Sequence, residues 1–491
     1  MRGFDAGNGV EAFLGIPYAV PPVGDRRWRP AEVLADSDEL RVCDSFGYTA
    51  MQFKDEVELA SLNEQSEDCL TLNVWRPEDA ADDLPVMVYI HGGAFFSGGS
   101  SDPLYNGANF VASHDVVMVS INYRINLFGS LCLQALPGGE DYKESGYLNI
   151  LDQIRALEWI HENIAAFGGN PDNVTLFGES AGSASAALLS VCPRAKGLFQ
   201  KVICESGPID LYKTESKGEP YARELAEILG CQTVQDMLEK SAEELLDGMQ
   251  VLCDRHPFEV SLTYAPVCDG TLLPVKPMKA WKEGAARDID VMIGSTEDEF
   301  NYFKFYFPAE QMPDFWGGQT PFHFDEELDI KDWEQKYADA YPELDLVQNY
   351  IEFMNQTGFR VMGDLMAEQQ SAYRPTYDYL FCYKSTIDGM GACHAIEVPF
   401  VLSNLDTPDG LEFTGPNPPE HLAREMGDAW YAFAKDGVPL APNGEPWQPY
   451  TASDHVQMVI DEKGWQELRD INEKNNELLR PMCDVLIRES A

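Results

Sequence analysis

Gly178-Glu179-Ser180-Ala181-Gly182 is a GxSxG pentapeptide, and its chemistry is that of an activated hydroxyl. A serine is a weak nucleophile until a neighbouring base accepts its proton, and the pattern works by lifting the serine onto a sharp turn where a base can reach it. The flanking glycines remove the Cβ atoms that would collide at such a turn. An apolar run at 174–177 precedes the pentapeptide and a run of small residues at 181–189 follows it. Strand, turn and helix are thus predicted in the order the motif needs, with the positive end of the helix aimed at the reaction centre. A serine that merely caps a helix would not account for the strand before it.

Acyl transfer puts negative charge on an oxygen, and each preorganised N–H donor aimed at it is worth roughly 10²–10³ in rate. His91-Gly92-Gly93-Ala94-Phe95 directly follows a predicted strand at 85–90 and matches the HGGG type of loop. The amides of Gly93, Ala94 and Ala181 are the expected oxyanion donors.

The base should follow the serine, because this arrangement runs Ser, then Asp or Glu, then His along the chain. His256, His323, His394, His421 and His455 all do so. His256 and His323 precede the last predicted strands, His421 sits on an acidic helical stretch, and His455 lies near the chain end. His394 ends the glycine-containing loop 388–393 after a predicted strand at 376–383, which makes it the candidate. The acid must fix the tautomer of that histidine. With 82 Asp and Glu residues, counting identifies none. The turn after the strand at 291–294 offers Glu297, Asp298 and Glu299, and topology leaves all three open.

These pieces need a scaffold. Short β-branched runs at 84–90, 116–122, 174–177, 201–204, 291–294 and 376–383 alternate with longer helical patterns such as 151–167. The expected fold class is α/β, an α/β-hydrolase fold with a mostly parallel central sheet and helices on both faces. Helical insertions at about 208–260 and 300–370 interrupt the strands without a Ser/Gly-rich linker, so residues 1–491 read as a single catalytic domain. The stretch Gly7-Asn8-Gly9-Val10-Glu11-Ala12 looks like a dinucleotide loop, but too little chain precedes it for a buried strand, and the match is ascribed to chance.

Bulk properties exclude several classes. The net charge of −47 repels phosphate backbones, so no nucleic-acid partner is expected. No run approaches the roughly 18 apolar residues of a membrane span. Met1 to Glu11 does not combine a basic start, an apolar stretch and a small-residue cleavage site, so no export signal is expected. Eleven cysteines at irregular spacing form neither zinc pairs nor a dense disulfide framework, and no metal or other cofactor is expected. The expected location is cytoplasmic.

Beyond the motifs, much of the chain is similar to the type B carboxylesterase/cholinesterase family. Ser66-Glu67-Asp68-Cys69-Leu70-Thr71-Leu72-Asn73 resembles its second signature, and Phe13-Leu14-Gly15-Ile16-Pro17-Tyr18-Ala19 its opening turn. Ala156-Leu157-Glu158-Trp159, Phe167-Gly168-Gly169-Asn170-Pro171, Pro266-Val267-Cys268-Asp269-Gly270 and Trp430-Tyr431-Ala432-Phe433-Ala434 resemble later landmarks. The resemblance implies Glu299 as the acid and His394 as the base, with Glu179 and Ser206 supporting the triad from behind. It also marks departures. Phe300 stands where relatives carry glycine, which puts the backbone at Glu299 in question. Cys69 and Cys231 lack the disulfide partners that secreted relatives supply, with Met237 near the place of one. No tryptophan lies between Trp28 and Trp75, and Leu59 fills the choline-binding position, so a cholinesterase is disfavoured.

The implied activity is hydrolysis of uncharged, moderate-size esters by a Ser-His-Glu triad through an acyl-enzyme. Aromatics including Phe95, Phe96, Tyr302, Phe303, Phe305, Tyr306, Phe315, Trp316 and Phe322 are expected to line an apolar gorge. The alternatives are a lipase, amidase or thioesterase with the same triad, or a non-catalytic binding relative. A small-molecule ester is the expected partner.

Overall fold

The computed structural model describes residues 1–35, 37–53, 63–256, 263–305 and 328–487. The chain forms two compact units interleaved along the sequence. The first comprises Met1–Leu176, Cys192–Phe199 and Leu211–Val275; the second comprises Phe177–Val191, Gln200–Asp210 and Lys276–Ala491.

In the first unit, β1 (Phe4–Gly7), β2 (Val10–Pro17), β3 (Thr71–Pro77), β4 (Leu84–Ile90), β5 (Val117–Ile121) and most of β6 (Gly169–Glu179) follow the order β1-β2-β3-β5-β4-β6. β4 and β5 pair in parallel, while β1–β2, β2–β3 and β3–β5 are antiparallel. β4 and β5 are buried along their whole length. That is why their sequences are unbroken apolar runs, the mark of strands covered on both faces.

The Gly7-Asn8-Gly9 stretch proves to be the turn of the β1–β2 hairpin. Asn8 and Gly9 both have positive φ (54° and 77°), the backbone of a two-residue type I′ turn. Sequence reasoning rightly sets this stretch aside as a dinucleotide loop, but it misses β1, β2 and β3 altogether.

In the second unit, β7 (Lys201–Glu205), β8 (Asp290–Thr296), β9 (Thr376–Phe381), β10 (Val456–Ile460) and β11 (Gln466–Arg469) lie in chain order. β7 through β10 are parallel and β11 closes the edge antiparallel. The central sheet is therefore mostly parallel with antiparallel margins and helices around it. The helix predicted at 151–167 runs Leu148–Asn163 and tightens to a 3₁₀ turn at Ile164–Phe167. Within the stretch 208–260 lie the helices Glu215–Ile228, Val234–Leu238 and Ala242–Arg255. Between 328 and 371 lie Ile330–Ala340, Leu346–Asn355 and Val361–Ser371, with a π-turn at Gln356–Arg360 joining the last two.

Buried ion pairs tie the first unit together. Arg124 grips Asp152 with its Nε and Nη2, each 2.7 Å from a carboxylate oxygen, and Arg27 grips Glu67 with the same two nitrogens at 2.6 and 2.5 Å. Both pairs are nearly solvent-free, so removing one partner alone is the costly change.

The second unit holds an opposite case. Asp210 is fully buried, and among the described residues neither carboxyl oxygen has a hydrogen-bond partner. Burial pushes its acid up to about 7. A raised native value means that the native state keeps a proton which the unfolded chain releases near pH 4. Stability from this group is therefore complete below about pH 4 and is lost as pH rises towards 7. Asp210→Asn, which cannot ionise, is expected to be more stable than the parent at pH 8 by about 2–4 kcal/mol, with the gap closing by pH 4. Urea denaturation at both pH values measures it.

Candidate active site

Ser180 sits between β6 and the helix Ala181–Ser190, at φ 57° and ψ −121°. A non-glycine residue held there costs of order 1–3 kcal/mol, so its surroundings must impose it. They do so through the backbone. The Ser180 N–H donates to Glu205 O at 2.9 Å, and its carbonyl accepts the Ala184 N–H at 2.9 Å. Gly207 packs against the turn so closely that a Cβ there would stand 2.0 Å from Ser180 O. Ala181 begins the helix, where the first amides have no partner within it.

His394 lies on the loop after β9, at the position the sequence suggested. Its Nδ1–H donates to Glu299 Oε2 at 2.6 Å, and the His394 N–H donates to Glu299 O at 3.2 Å. Glu299 opens a 3₁₀ turn after β8 and is completely buried. Its other oxygen accepts the Thr296 N–H at 2.7 Å. Of the three acids in the turn, Glu299 alone faces the imidazole. Phe300 keeps an ordinary negative φ and is buried against Phe303 and Tyr350, its N–H donating to Asn355 Oδ1 at 2.7 Å. This turn accepts a side chain where relatives have glycine.

The far nitrogen of the ring is already engaged: Glu179 Oε1 stands 2.9 Å from His394 Nε2. Among the described residues no hydrogen bond joins the Ser180 hydroxyl to the imidazole. Burial would lower the imidazolium's pKa, but Glu179 and then Glu299 hold the charged form, and the net direction is well upward.

Two further acids, missed by the sequence reading, stand behind this group. Glu205, at the end of β7, accepts the Trp430 indole N–H, and burial pushes its carboxyl up to about 8. The Ser206 hydroxyl donates to Glu397 Oε1 at 3.2 Å, and burial, then the charges of Glu179 and Glu299, push Glu397 well upward. Crowded buried carboxyls cannot all ionise, so some hold protons.

Aromatic faces surround the histidine. Ring centroids of Phe359, Phe303 and Tyr302 lie 4.9, 5.7 and 6.3 Å from that of His394. Phe359 comes from the π-turn, a distortion that recurs at functional sites. Phe413 stacks on Tyr302. Phe95, by contrast, is buried core packed on Tyr123, and Phe96 packs on Phe53 and Tyr264. His323, Leu59, Tyr306, Phe315, Trp316 and Phe322, and the side chain of Phe305, lie outside the described residues.

The loop carrying Gly93 and Ala94 belongs to the first unit. Gly93, Ala94 and Phe95 all have positive φ (93°, 53° and 58°), and a Cβ on Gly93 would stand 2.3 Å from Ser97 O. The Gly92 carbonyl lies 2.9 Å from His91 Nδ1, and the Gly93 carbonyl accepts the N–H groups of Phe96 and Ser97 at 2.8 and 2.9 Å. In a trans peptide the N–H points away from the C=O. Anchoring those two carbonyls therefore turns the Gly93 and Ala94 N–H groups outward from the loop.

Comparison with known proteins bears on what this arrangement is for. A model of the carboxylesterase family matches residues 1–478. The chain is 37% identical over 490 residues to the para-nitrobenzyl esterase of Bacillus subtilis, covering 96% of this chain and 95% of that protein. It is 32% identical to the phenmedipham hydrolase of Pseudarthrobacter oxydans, with 94% of each covered. The crystal structure of the carboxylesterase EST55 of Geobacillus stearothermophilus superposes with a TM-score of 0.85 at 35% identity over 97% of both chains. A structure of a PNB esterase gives 0.84 at 33% identity over the same share. Those solved relatives have the α/β-hydrolase fold, as the sequence predicted. A serine on a strained strand-to-helix turn, a buried His–Glu pair and whole-length likeness to esterases lead to one conclusion: this chain belongs to the type B carboxylesterase family and is a carboxylic ester hydrolase.

Proposed function

We propose that Ser180 attacks the carbonyl carbon of an uncharged ester of moderate size while His394 Nε2 takes the hydroxyl proton and Glu299 steadies the imidazolium. The amides of Gly93, Ala94 and Ala181 receive the oxyanion. The tetrahedral intermediate collapses, His394 returns the proton to the leaving alcohol, and an acyl-Ser180 ester remains. Water repeats the cycle and frees the acid. The observation that carries this reading is the 2.6 Å bond from His394 Nδ1 to Glu299, which keeps a proton on Nδ1 and so gives the role of base to Nε2, the nitrogen that Glu179 also contacts.

Glu179 supports the base and also competes for it. Since His394 accepts a proton only when neutral, activity rises with pH through its raised pKa, and the acid limb of kcat/KM is expected above the ordinary imidazole range near 6.5. Glu179→Gln removes the first of the two charges holding the imidazolium, so its acid limb should move down by about one pH unit or more. Profiles from pH 5 to 9 measure it, and an unmoved limb counts against the role.

The substrate class follows from the surroundings. Aromatic faces at Tyr302, Phe303 and Phe359 favour apolar, uncharged groups. A small-molecule ester is the partner. All eleven cysteines are free thiols, including Cys69 and Cys231, which supports a reducing, cytoplasmic setting. Among the described residues no helix is long and apolar enough to cross a membrane. Residues 1–491 form one catalytic domain, with insertions at about 208–260 and 300–370. A panel tests the substrate class: neutral short- and medium-chain nitrophenyl esters, a para-nitrobenzyl ester, a succinyl ester, a choline ester, a thioester, an anilide and emulsified triglyceride. The neutral soluble esters should have the highest kcat/KM. A best rate on the succinyl ester, anilide or emulsion would overturn the substrate class.

A further inference from the structure

Beside Glu299 the turn carries a second acid that does not face the imidazole. We infer that Asp298 is a positioning residue for His394, clamping the histidine loop onto the turn that bears the triad acid. The inference rests on the reading of His394 as the base.

Asp298 and Ala392 close a ring of two hydrogen bonds. The Asp298 N–H donates to Ala392 O at 2.9 Å, and the Ala392 N–H donates to Asp298 Oδ2 at 2.8 Å. Two residues on, the His394 N–H donates to Glu299 O. The clamp and the His–Glu bond thus lie side by side on the same two segments.

Gly391 shows that the carboxylate's place is built in. Its φ is 63°, and a Cβ there would stand 2.3 Å from Asp298 Oδ2. Only a residue without a side chain leaves the carboxylate room to reach the Ala392 amide. On the outer side Lys384, following β9, engages the carboxylates of both Asp298 and Glu297. The Ser385 N–H donates to Gly391 O at 2.9 Å and holds the loop's other edge.

The loop carries two glycines, Gly389 and Gly391, both at positive φ. Lys384 is about half exposed, so its ion pair with Asp298 contributes little. A carboxylate accepting a backbone N–H in a partly buried setting is the stronger tie. Its effect on rate comes through placement, since about 1 Å of error at a reacting group can cost about 10²-fold.

The test uses full-length Asp298→Ala, Asp298→Asn and Gly391→Ala, with competent sites counted by fluorophosphonate titration. Asp298→Ala removes the acceptor and should lower kcat per titrated site by about 10–100-fold with KM within about threefold. Asp298→Asn keeps an oxygen for the Ala392 N–H and should recover most of the loss. If Asp298→Ala folds poorly, Gly391→Ala displaces the same carboxylate and should show the same kcat-only loss. A kcat per site within twofold of the parent in both Asp298→Ala and Gly391→Ala would overturn the proposal, as would equal losses in Asp298→Ala and Asp298→Asn. His394→Ala separates the two readings: if it keeps activity, the base assignment fails; if it is inactive while Asp298→Ala is not, only the clamp fails.

Discussion

Ser180→Ala is expected to lower kcat on a neutral chromogenic ester by about 10⁴–10⁶-fold while leaving the folded protein intact. Alanine removes the hydroxyl and nothing that shapes the turn. The backbone bonds to Glu205 O and from Ala184 N–H remain. Alanine tolerates a φ of 57° no better than serine, so the strain is unchanged as well. His394→Ala should cost a similar factor, because a serine without its base and a base without its serine fail at the same step. The double variant should then be hardly worse than either single one. Initial rates with circular dichroism on each variant measure this, and losses that multiply would place the two residues in separate steps.

Glu299→Gln is expected to lower kcat by about 10³–10⁴-fold, although it changes one atom. The two oxygens of Glu299 accept two donors, Thr296 N–H and His394 Nδ1–H. A glutamine offers one acceptor. The Thr296 amide belongs to the backbone and cannot turn, so it claims the oxygen and leaves the NH₂ facing Nδ1. Two donors then confront each other, and the imidazole escapes by moving its proton to Nε2, where it can no longer accept one from serine. Single-turnover rates well above the acid limb isolate this tautomer effect from ionisation. More than about a tenth of the parent rate would move the acid role towards Glu179, the other carboxylate on the ring.

What is legible in the sequence follows from how local the signal is. Ser180 and the glycine loop announce themselves because strand, turn and helix are adjacent in the chain, and a sharp turn restricts residue types at fixed spacing. His394 stands out by its place after a strand. Glu299 does not, since three acids in a row differ only in which one the turn points inward, and the resemblance to a family makes the choice. Glu205, Glu397 and Phe359 escape because nothing local marks them. The Trp430 indole that bonds Glu205 lies 225 residues away in sequence, and the π-turn that carries Phe359 lies within a stretch that reads as helical throughout. The antiparallel strands β1 to β3 are easily passed over because β1 is short and half exposed and joins β2 through an Asn-Gly turn that resembles something else. Phe95 falls in a gorge on residue type alone, whereas the structure buries it in the core.

The most direct measurement is to label the native enzyme and His394→Ala with a fluorophosphonate and locate the adduct by peptide mass. One adduct per chain on Ser180, formed about 10³-fold more slowly in His394→Ala, is the expected result. An adduct on another residue, or equal labelling rates in the two proteins, would contradict the assignment of Ser180 as the nucleophile served by His394.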